Sequence, residues 1–366
     1  MAKVKDSASA QLPPTKTLFL HIGTQKTGTT TLQWLGSRNR AALAARGVCY
    51  PAVPGGQNHV GLTIYAAGGV GNRDLTRSIA LNTPAAVAEY VAGFPAALAA
   101  EVTRAACPIL WLSNEHLSSR IRQPEQIARV VDILRPLAER IKVVIYLRHQ
   151  PEYYLSTYSM EIKAGGEKPL GPPLTGKEYY YNYEKMLGAW AGVVGDENMV
   201  VRVFERGALK NGDVVEDFFG LMGVELGPGI ETPPVLNPSL DAKVLQFLHL
   251  FRQHIPRWVD DAVNPDHGDI VRALESLPPG PRFTIPAETM GQIAEAFAAS
   301  NARVAKRYLG RADGALFAPA QYRDAPVAPA LTVEQAVEIA AHIWRFKQQQ
   351  INERRARRRE PGAAPV

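Results

Sequence analysis

The segment Gly23-Thr24-Gln25-Lys26-Thr27-Gly28-Thr29-Thr30-Thr31 has the make-up of an anion-binding turn. Glycines at both ends of the turn let consecutive backbone N–H groups converge. The apolar residues Leu32, Trp34 and Leu35 that follow predict a helix whose N-terminus adds a favourable dipole. The threonines are expected to add hydroxyl donors. Lys26 lies two residues before Gly28, whereas a nucleotide-kinase loop places its lysine directly after that glycine, where this chain has Thr29. Further along, Ser113-Asn114-Glu115-His116 offers two proton acceptors. A free histidine titrates nearer neutral pH, whereas a glutamate acting as base needs a raised pKa or a strongly polarised partner. His59, beside Asn58 in a stretch rich in Gly, Pro and Asn, is expected in an exposed loop as a contact for an acceptor.

Positioning such groups requires a scaffold, and the chain supplies an α/β pattern. Short apolar, β-branched runs at 17–22, 108–113, 142–147 and 199–204 read as buried strands of a mostly parallel sheet. Helical patterns such as 124–140 and 182–193 lie between them, so helices are expected on both faces. The loop after the first strand and the Glu115 segment after the second then share the carboxyl edge of the sheet, where ligands of open α/β sheets bind. The stretches 50–73 and 165–176 read as long surface loops. From about Leu240 the pattern is mainly helical, with Pro-rich interruptions at 277–281 and 318–329. A last helix opens with Thr332 and Gln335 in capping-box spacing and runs through Ile339, Ile343 and Phe346 into an arginine cluster at 354–359.

The 366 residues suffice for one large core. The formal charge of +6 resides mostly in the two ends, so the body is nearly neutral and no broad nucleic-acid footprint is expected. Cys49 and Cys107 have no metal-ligand spacing and read as free thiols of a reducing compartment. No run is expected to reach membrane-spanning length, so the chain is placed in the cytoplasm without stable membrane insertion. The expected organisation is a flexible lead over 1–15, one domain over 16–317, and a linker, helix and basic tail over 318–366.

The loop resembles the sulfotransferase superfamily, whose phosphosulfate loop reads Pro-Lys-Ser-Gly-Thr-Thr, and in particular bacterial members with His-Ile-Gly-Thr-x-Lys-Thr-Gly-Thr-Thr. Gln25 stands where proline is usual in the cytosolic enzymes. A second similarity lies at the end of the third strand, where Arg148 and Ser156 have the spacing of the family's 3'-phosphate site. The aromatic-rich helix with Trp190, the strand through Phe204 and the segment 213–223 ending in Leu-x-Gly resemble the same family, while its late Arg-Lys-Gly motif is absent. The resemblance implies a P-loop NTPase-like fold and sulfuryl transfer from 3'-phosphoadenylyl sulfate, without a metal, to a hydroxyl or amine. The implied acceptor is a saccharide or another small molecule. It implies donor contacts from Thr24, Gln25, Lys26, Thr27, Gly28, Thr29, Thr30, Arg148 and Ser156, with Lys26 neutralising charge on the leaving oxygen. The base would be Glu115 by motif register or His116 by chemistry. A Mg-dependent nucleotide kinase using the same loop, and a non-catalytic protein that binds adenosine 3',5'-bisphosphate, are the alternative readings.

Overall fold

The four apolar runs form strands, with bounds shifted by a residue or two from those expected. The structure, a computed structural model, describes residues 16–165, 174–232, 240–259, 262–322 and 330–357. The lead over 1–15, most of the 165–176 stretch, residues 323–329 and the arginines at 358 and 359 lie outside the described residues. Strands β1 (Thr17–His21), β2 (Val48–Cys49), β3 (Ile109–Ser113), β4 (Arg140–Leu147) and β5 (Met199–Val203) pair in parallel in the order β2-β3-β1-β4-β5. A short antiparallel pair, β6 (Trp258–Val259) and β7 (Ala262–Val263), stands apart from that sheet. The helices are α1 (Thr29–Arg38), α2 (Arg40–Ala44), α3 (Val60–Ala66), α4 (Arg73–Ser78), α5 (Pro84–Ala105), α6 (His116–Arg120) and α7 (Pro124–Leu134). They continue with α8 (Gln150–Lys163), α9 (Tyr183–Val194), α10 (Val214–Met222), α11 (Ala242–Phe251), α12 (Pro265–Glu275), α13 (Ala287–Leu309) and α14 (Val333–Arg357).

The chain divides into two compact units. The first comprises Met1–Arg148, Asn182–Pro233 and Ser300–Phe317, and the second the remaining segments. In the first unit the sheet is buried on both faces, which is why its strands are apolar without alternation. Phe19, Trp111, Val144 and Tyr146 pack with Leu32 and Leu35 of α1 and with Phe218 and Phe219 of α10. The alternate residues Leu18, Leu20, Leu110, Leu112, Val143 and Ile145 are fully buried as well. Asp213 caps α10, accepting from the N–H groups of Val215 and Glu216 at 2.7 and 3.1 Å, and Gly223 closes it with φ +67°. Cys49 and Cys107 are free and buried, and burial pushes the Cys49 thiol up to about 11.

In the second unit, Ile162 of α8 packs with Leu245 and Leu248 of α11, Ile270 and Leu274 of α12, and Ile339 and Ile343 of α14. The capping box of α14 forms as expected: Gln335 N–H donates to Thr332 Oγ1 and Thr332 N–H to Gln335 Oε1, both at 3.3 Å.

Two expectations are corrected. The 50–73 stretch is no plain surface loop, because α3 lies within it with Val60, Leu62, Thr63 and Ile64 buried. Gly61 packs closely on Tyr90 and the Pro54 carbonyl, and this glycine hides the helical pattern. Helix α5, at 22 residues, is long and apolar enough by length and composition to cross a membrane, contrary to expectation. Here it buries Phe94, Leu98 and Val102, spaced four apart on one face.

A half-buried ion pair ties α10 to β4 and β5. Asp217 on α10 accepts from Tyr146 Oη at 2.8 Å, from Arg202 Nε at 3.0 Å and from the Lys210 N–H at 3.0 Å. Burial alone would raise its pKa, but the hydrogen bonds from Arg202, Lys210 and Tyr146 outweigh it and hold the carboxyl below the usual range. A depressed folded pKa contributes stability above the unfolded value, near 4, that is lost as pH falls through the folded value. Asp217→Asn is expected to lower stability by about 2–4 kcal/mol at neutral pH, read from urea midpoints, and by less as the pH falls below about 4.

Candidate functional site

The strand order reverses at β1, and the three segments singled out in the first unit follow β1, β3 and its other neighbour β4. Sheet-like bonding continues past His21: Ile22 N–H donates to Val144 O at 2.9 Å, Tyr146 N–H to Gly23 O at 2.7 Å, and Thr24 N–H to Tyr146 O at 3.0 Å. The chain then turns, with Lys26 at φ +62° and Gly28 at φ +78°. A Cβ on Gly28 would lie 2.8 Å from Val214 Cγ1, so the turn is built for glycine here. Helix α1 starts without a side-chain cap or an acidic residue in its first turn. Leu32 N–H makes the first helical bond, to Gly28 O at 3.1 Å, which leaves the N–H groups of Thr29, Thr30 and Thr31 without an intrahelical acceptor. Such an end suits an anion.

Thr24 and Thr27 are fully buried, and their hydroxyls are spent within the fold. Thr24 Oγ1 donates to Tyr146 O at 3.0 Å and Thr27 Oγ1 to Thr24 O at 2.7 Å. The expected hydroxyl donors are thus corrected at these two positions: they hold the turn. Thr30 is exposed, and Gln25 and Lys26 are half-buried. Arg148, half-buried just beyond β4, donates Nη1 to the Lys26 carbonyl at 3.1 Å, and Tyr183 Oη donates to the Arg148 carbonyl. Turn and arginine are thereby joined. Ser156 lies half-buried on α8 in the second unit. The tyrosines at 180 and 181 pack within that unit, Tyr180 stacked on Tyr153 with ring centroids 5.1 Å apart.

Glu115 and His116 follow β3 and are largely withdrawn from solvent, with side-chain exposures of 15 and 16 %. A Cβ on Gly23 would lie 3.1 Å from the Glu115 Cα, so the β1 turn and the glutamate backbone touch. Glu115 Oε2 accepts from Gln33 Nε2 at 2.6 Å, and both its oxygens accept from Asn58 Nδ2 at 3.1 Å. A carboxylate has about four lone-pair positions. The one not taken is on Oε1, which faces His116 Nε2 at 4.0 Å. His116 Nδ1 lies 3.4 Å from Gln25 Nε2. Burial lowers the His116 pKa, with Arg120 acting in the same sense and Glu115 and Asp74 opposing, which keeps the ring neutral at pH 7.

Gln33 escaped sequence reading. It is a polar residue between Leu32 and Trp34 on α1, 2 % exposed, and that polar interruption of a buried helix face was its signal. It also donates to Ser113 Oγ at 3.4 Å, which bonds His21 Nδ1 at 2.9 Å.

His59 is corrected as well. It is fully buried rather than exposed in a loop. Its Nε2 donates to Pro51 O at 2.9 Å and its Nδ1 accepts from the Ser113 N–H at 3.1 Å, so both ring nitrogens are used inside the fold. What this ring does is hold the neighbouring Asn58 beside Glu115.

No family model matches the chain. A curated relative, an uncharacterized protein of Archaeoglobus fulgidus, is 23 % identical over 209 residues, covering 54 % of this chain and 55 % of that protein. The chain thus spans about half the length of that relative. A solved structure, the sulfotransferase domain from the Synechococcus PCC 7002 olefin synthase, is similar at 15 % identity and a TM-score of 0.32, covering 81 % of this chain and 98 % of that one.

Burial lowers His21 and His59 to about 3 from 6.5. The unfolded chain takes up these protons near pH 6.5 while the folded chain resists until about pH 3, so stability is lost as pH falls between those values. His59→Gln is expected to lower stability at neutral pH and to flatten the acid limb of a stability–pH profile by about 1.4 kcal/mol per pH unit, measured by urea unfolding from pH 7 to pH 4.

Proposed function

We propose that the first unit binds 3'-phosphoadenylyl sulfate at the 23–31 turn and transfers its sulfuryl group to a hydroxyl or amine of an acceptor. The acceptor proposed is a saccharide or glycoconjugate, and the compartment the cytoplasm. One observation carries this reading. A lysine-bearing turn that opens a helix, an arginine bonded to that turn's backbone, and a carboxylate beside its first glycine lie at the ends of three adjacent parallel strands. Anion site, charge stabiliser and proton acceptor then face one edge of the sheet.

Sulfuryl transfer resembles phosphoryl transfer in depending on positioning and charge stabilisation around an in-line displacement. The acceptor oxygen or nitrogen forms a bond to sulfur while the bond from sulfur to the bridging phosphate oxygen breaks. The acceptor's proton passes to Glu115 Oε1, the oxygen whose lone pair the surrounding amides leave open. The Lys26 ammonium and the N–H groups opening α1 offset the charge that collects on the departing bisphosphate. Gln33 and Asn58 hold the carboxylate in one orientation, so little rearrangement is needed when the proton arrives. Arg148 supplies a guanidinium fork for the 3'-phosphate. The positive charge the step requires comes from Lys26, Arg148 and the helix end, and the proposal includes no metal.

Calorimetric titration with adenosine 3',5'-bisphosphate and with 5'-AMP tests the donor site. Strong preference for the bisphosphate, lost in Arg148→Ala, is the expected result; equal or absent binding overturns the assignment. In turnover with a competent acceptor, Glu115→Gln is expected to lower kcat by about 10²–10⁴-fold with bisphosphate affinity unchanged. A full rate in that variant would transfer the role of base to His116.

A further inference from the structure

Among the described residues of the second unit, one buried positive charge meets no carboxylate. Arg252, the residue closing α11, is 6 % exposed. Its Nε donates to His249 O at 3.1 Å and its Nη2 to His249 Nδ1 at 2.9 Å, both neutral acceptors. Its Nη1 is buried with no hydrogen-bond partner, and among the described residues no carboxylate lies within ion-pair distance of this guanidinium. An arginine cannot shed its proton, and a desolvated guanidinium is costly unless an opposite charge meets it.

His267 on α12 shares the missing partner, though not the charge. It is 4 % exposed, and its Nε2 is buried without a partner. Burial, then Arg257, then Arg252, lower its pKa, so both guanidinium charges are felt at the ring. Arg257 donates Nη1 to Ala164 O at 3.1 Å, at the end of α8. The next residue, Gly165, has φ +78°, and a Cβ there would lie 2.9 Å from Arg257 Cβ and 3.7 Å from His267 Nε2. Glu275 of the same unit is paired with Lys163, the last residue of α8, at 2.8 Å. Arg257 and His267 thus lie at the end of α8, with Arg252 near enough for its charge to reach the His267 ring, and two buried polar atoms are unsatisfied.

We propose that Arg252, Arg257 and His267 form an oxyanion-binding site in the second unit, for the carboxylate, sulfate or phosphate group of a ligand. A water molecule would satisfy a donor but not the charge, and a cation or neutral sugar hydroxyl would leave the guanidinium uncompensated. An oxyanion supplies both charge and lone pairs, in the geometry an arginine fork accepts. This site uses none of the residues of the 23–31 turn and stands whether or not the chain transfers sulfuryl groups.

The test is histidine-selective NMR on the full chain, titrated with inorganic sulfate against sodium chloride at constant ionic strength. The His267 ring signal, assigned by its loss in His267→Gln, is expected to move saturably, to do so equally in Lys26→Ala, and to lose affinity by at least about tenfold in Arg252→Gln. Arg252→Lys, which keeps the charge but loses the fork, is expected to fall between and serves if the glutamine variant does not fold. Parallel titrations with inorganic phosphate and acetate assign the ligand group: saturation by acetate marks a carboxylate, and saturation by sulfate or phosphate alone a tetrahedral oxyanion. A His267 signal unmoved by all three anions, a response abolished by Lys26→Ala, or equal affinity in wild type and Arg252→Gln overturns the proposal.

Discussion

Tyr146 governs where the 23–31 turn begins. Its N–H bonds the Gly23 carbonyl, and its own carbonyl receives both the N–H and the hydroxyl of Thr24. These bonds extend the pairing of β1 with β4 beyond the last residue of β1, so the first residues of the turn belong mechanically to the sheet and the chain bends only afterwards. On the opposite side Gly23, lacking a side chain, admits the Glu115 backbone into contact. Turn and carboxylate are thus referenced to one point of a rigid element, so their mutual geometry is fixed by the sheet.

Much of this architecture is legible in the sequence because a parallel sheet covered on both faces writes itself as continuous apolar runs. β1, β3, β4 and β5 are of that kind. β2 is only Val48–Cys49, too short to carry a pattern, and α3 is broken by a glycine that exists to let Tyr90 approach. The turn at 23–31 is readable from composition, since glycine and lysine spacing reports backbone geometry directly. The supports of Glu115 are not. Gln33 and Asn58 come from separate segments and meet the carboxylate only through the tertiary fold. Thr24 and Thr27 show the complementary error: a hydroxyl in a phosphate-loop pattern reads as a donor to ligand, but local backbone carbonyls compete for it and win.

The two units treat buried charge differently. In the first, Asp217 meets a guanidinium, a phenol and a backbone N–H, so the charge is answered from within the chain. In the second, Arg252 meets the carbonyl and ring nitrogen of a single histidine. A buried ion answered internally fixes one packing arrangement, whereas one left unanswered makes the local fold sensitive to what the solution contains.

The imidazole of His59 closes the segment from Pro51 into a ring held by hydrogen bonds, with the Tyr50 hydroxyl reaching Gln57 O at 2.6 Å across it. Gly56 and Gln57 lie exposed on its rim, while Asn58 sits at the closure beside the carboxylate. The Tyr50 hydroxyl and Arg40 Nη2, which donates to Gly56 O, anchor the rim's backbone, while a Cβ on Gly56 would meet nothing within 4 Å, so the freedom there is one of side chain. Side chains exchanged at Gly56 and Gln57 leave that backbone and Asn58 in place, which makes this rim a place where the surface near Glu115 can diversify, by evolution or by engineering, at little cost to the carboxylate's alignment.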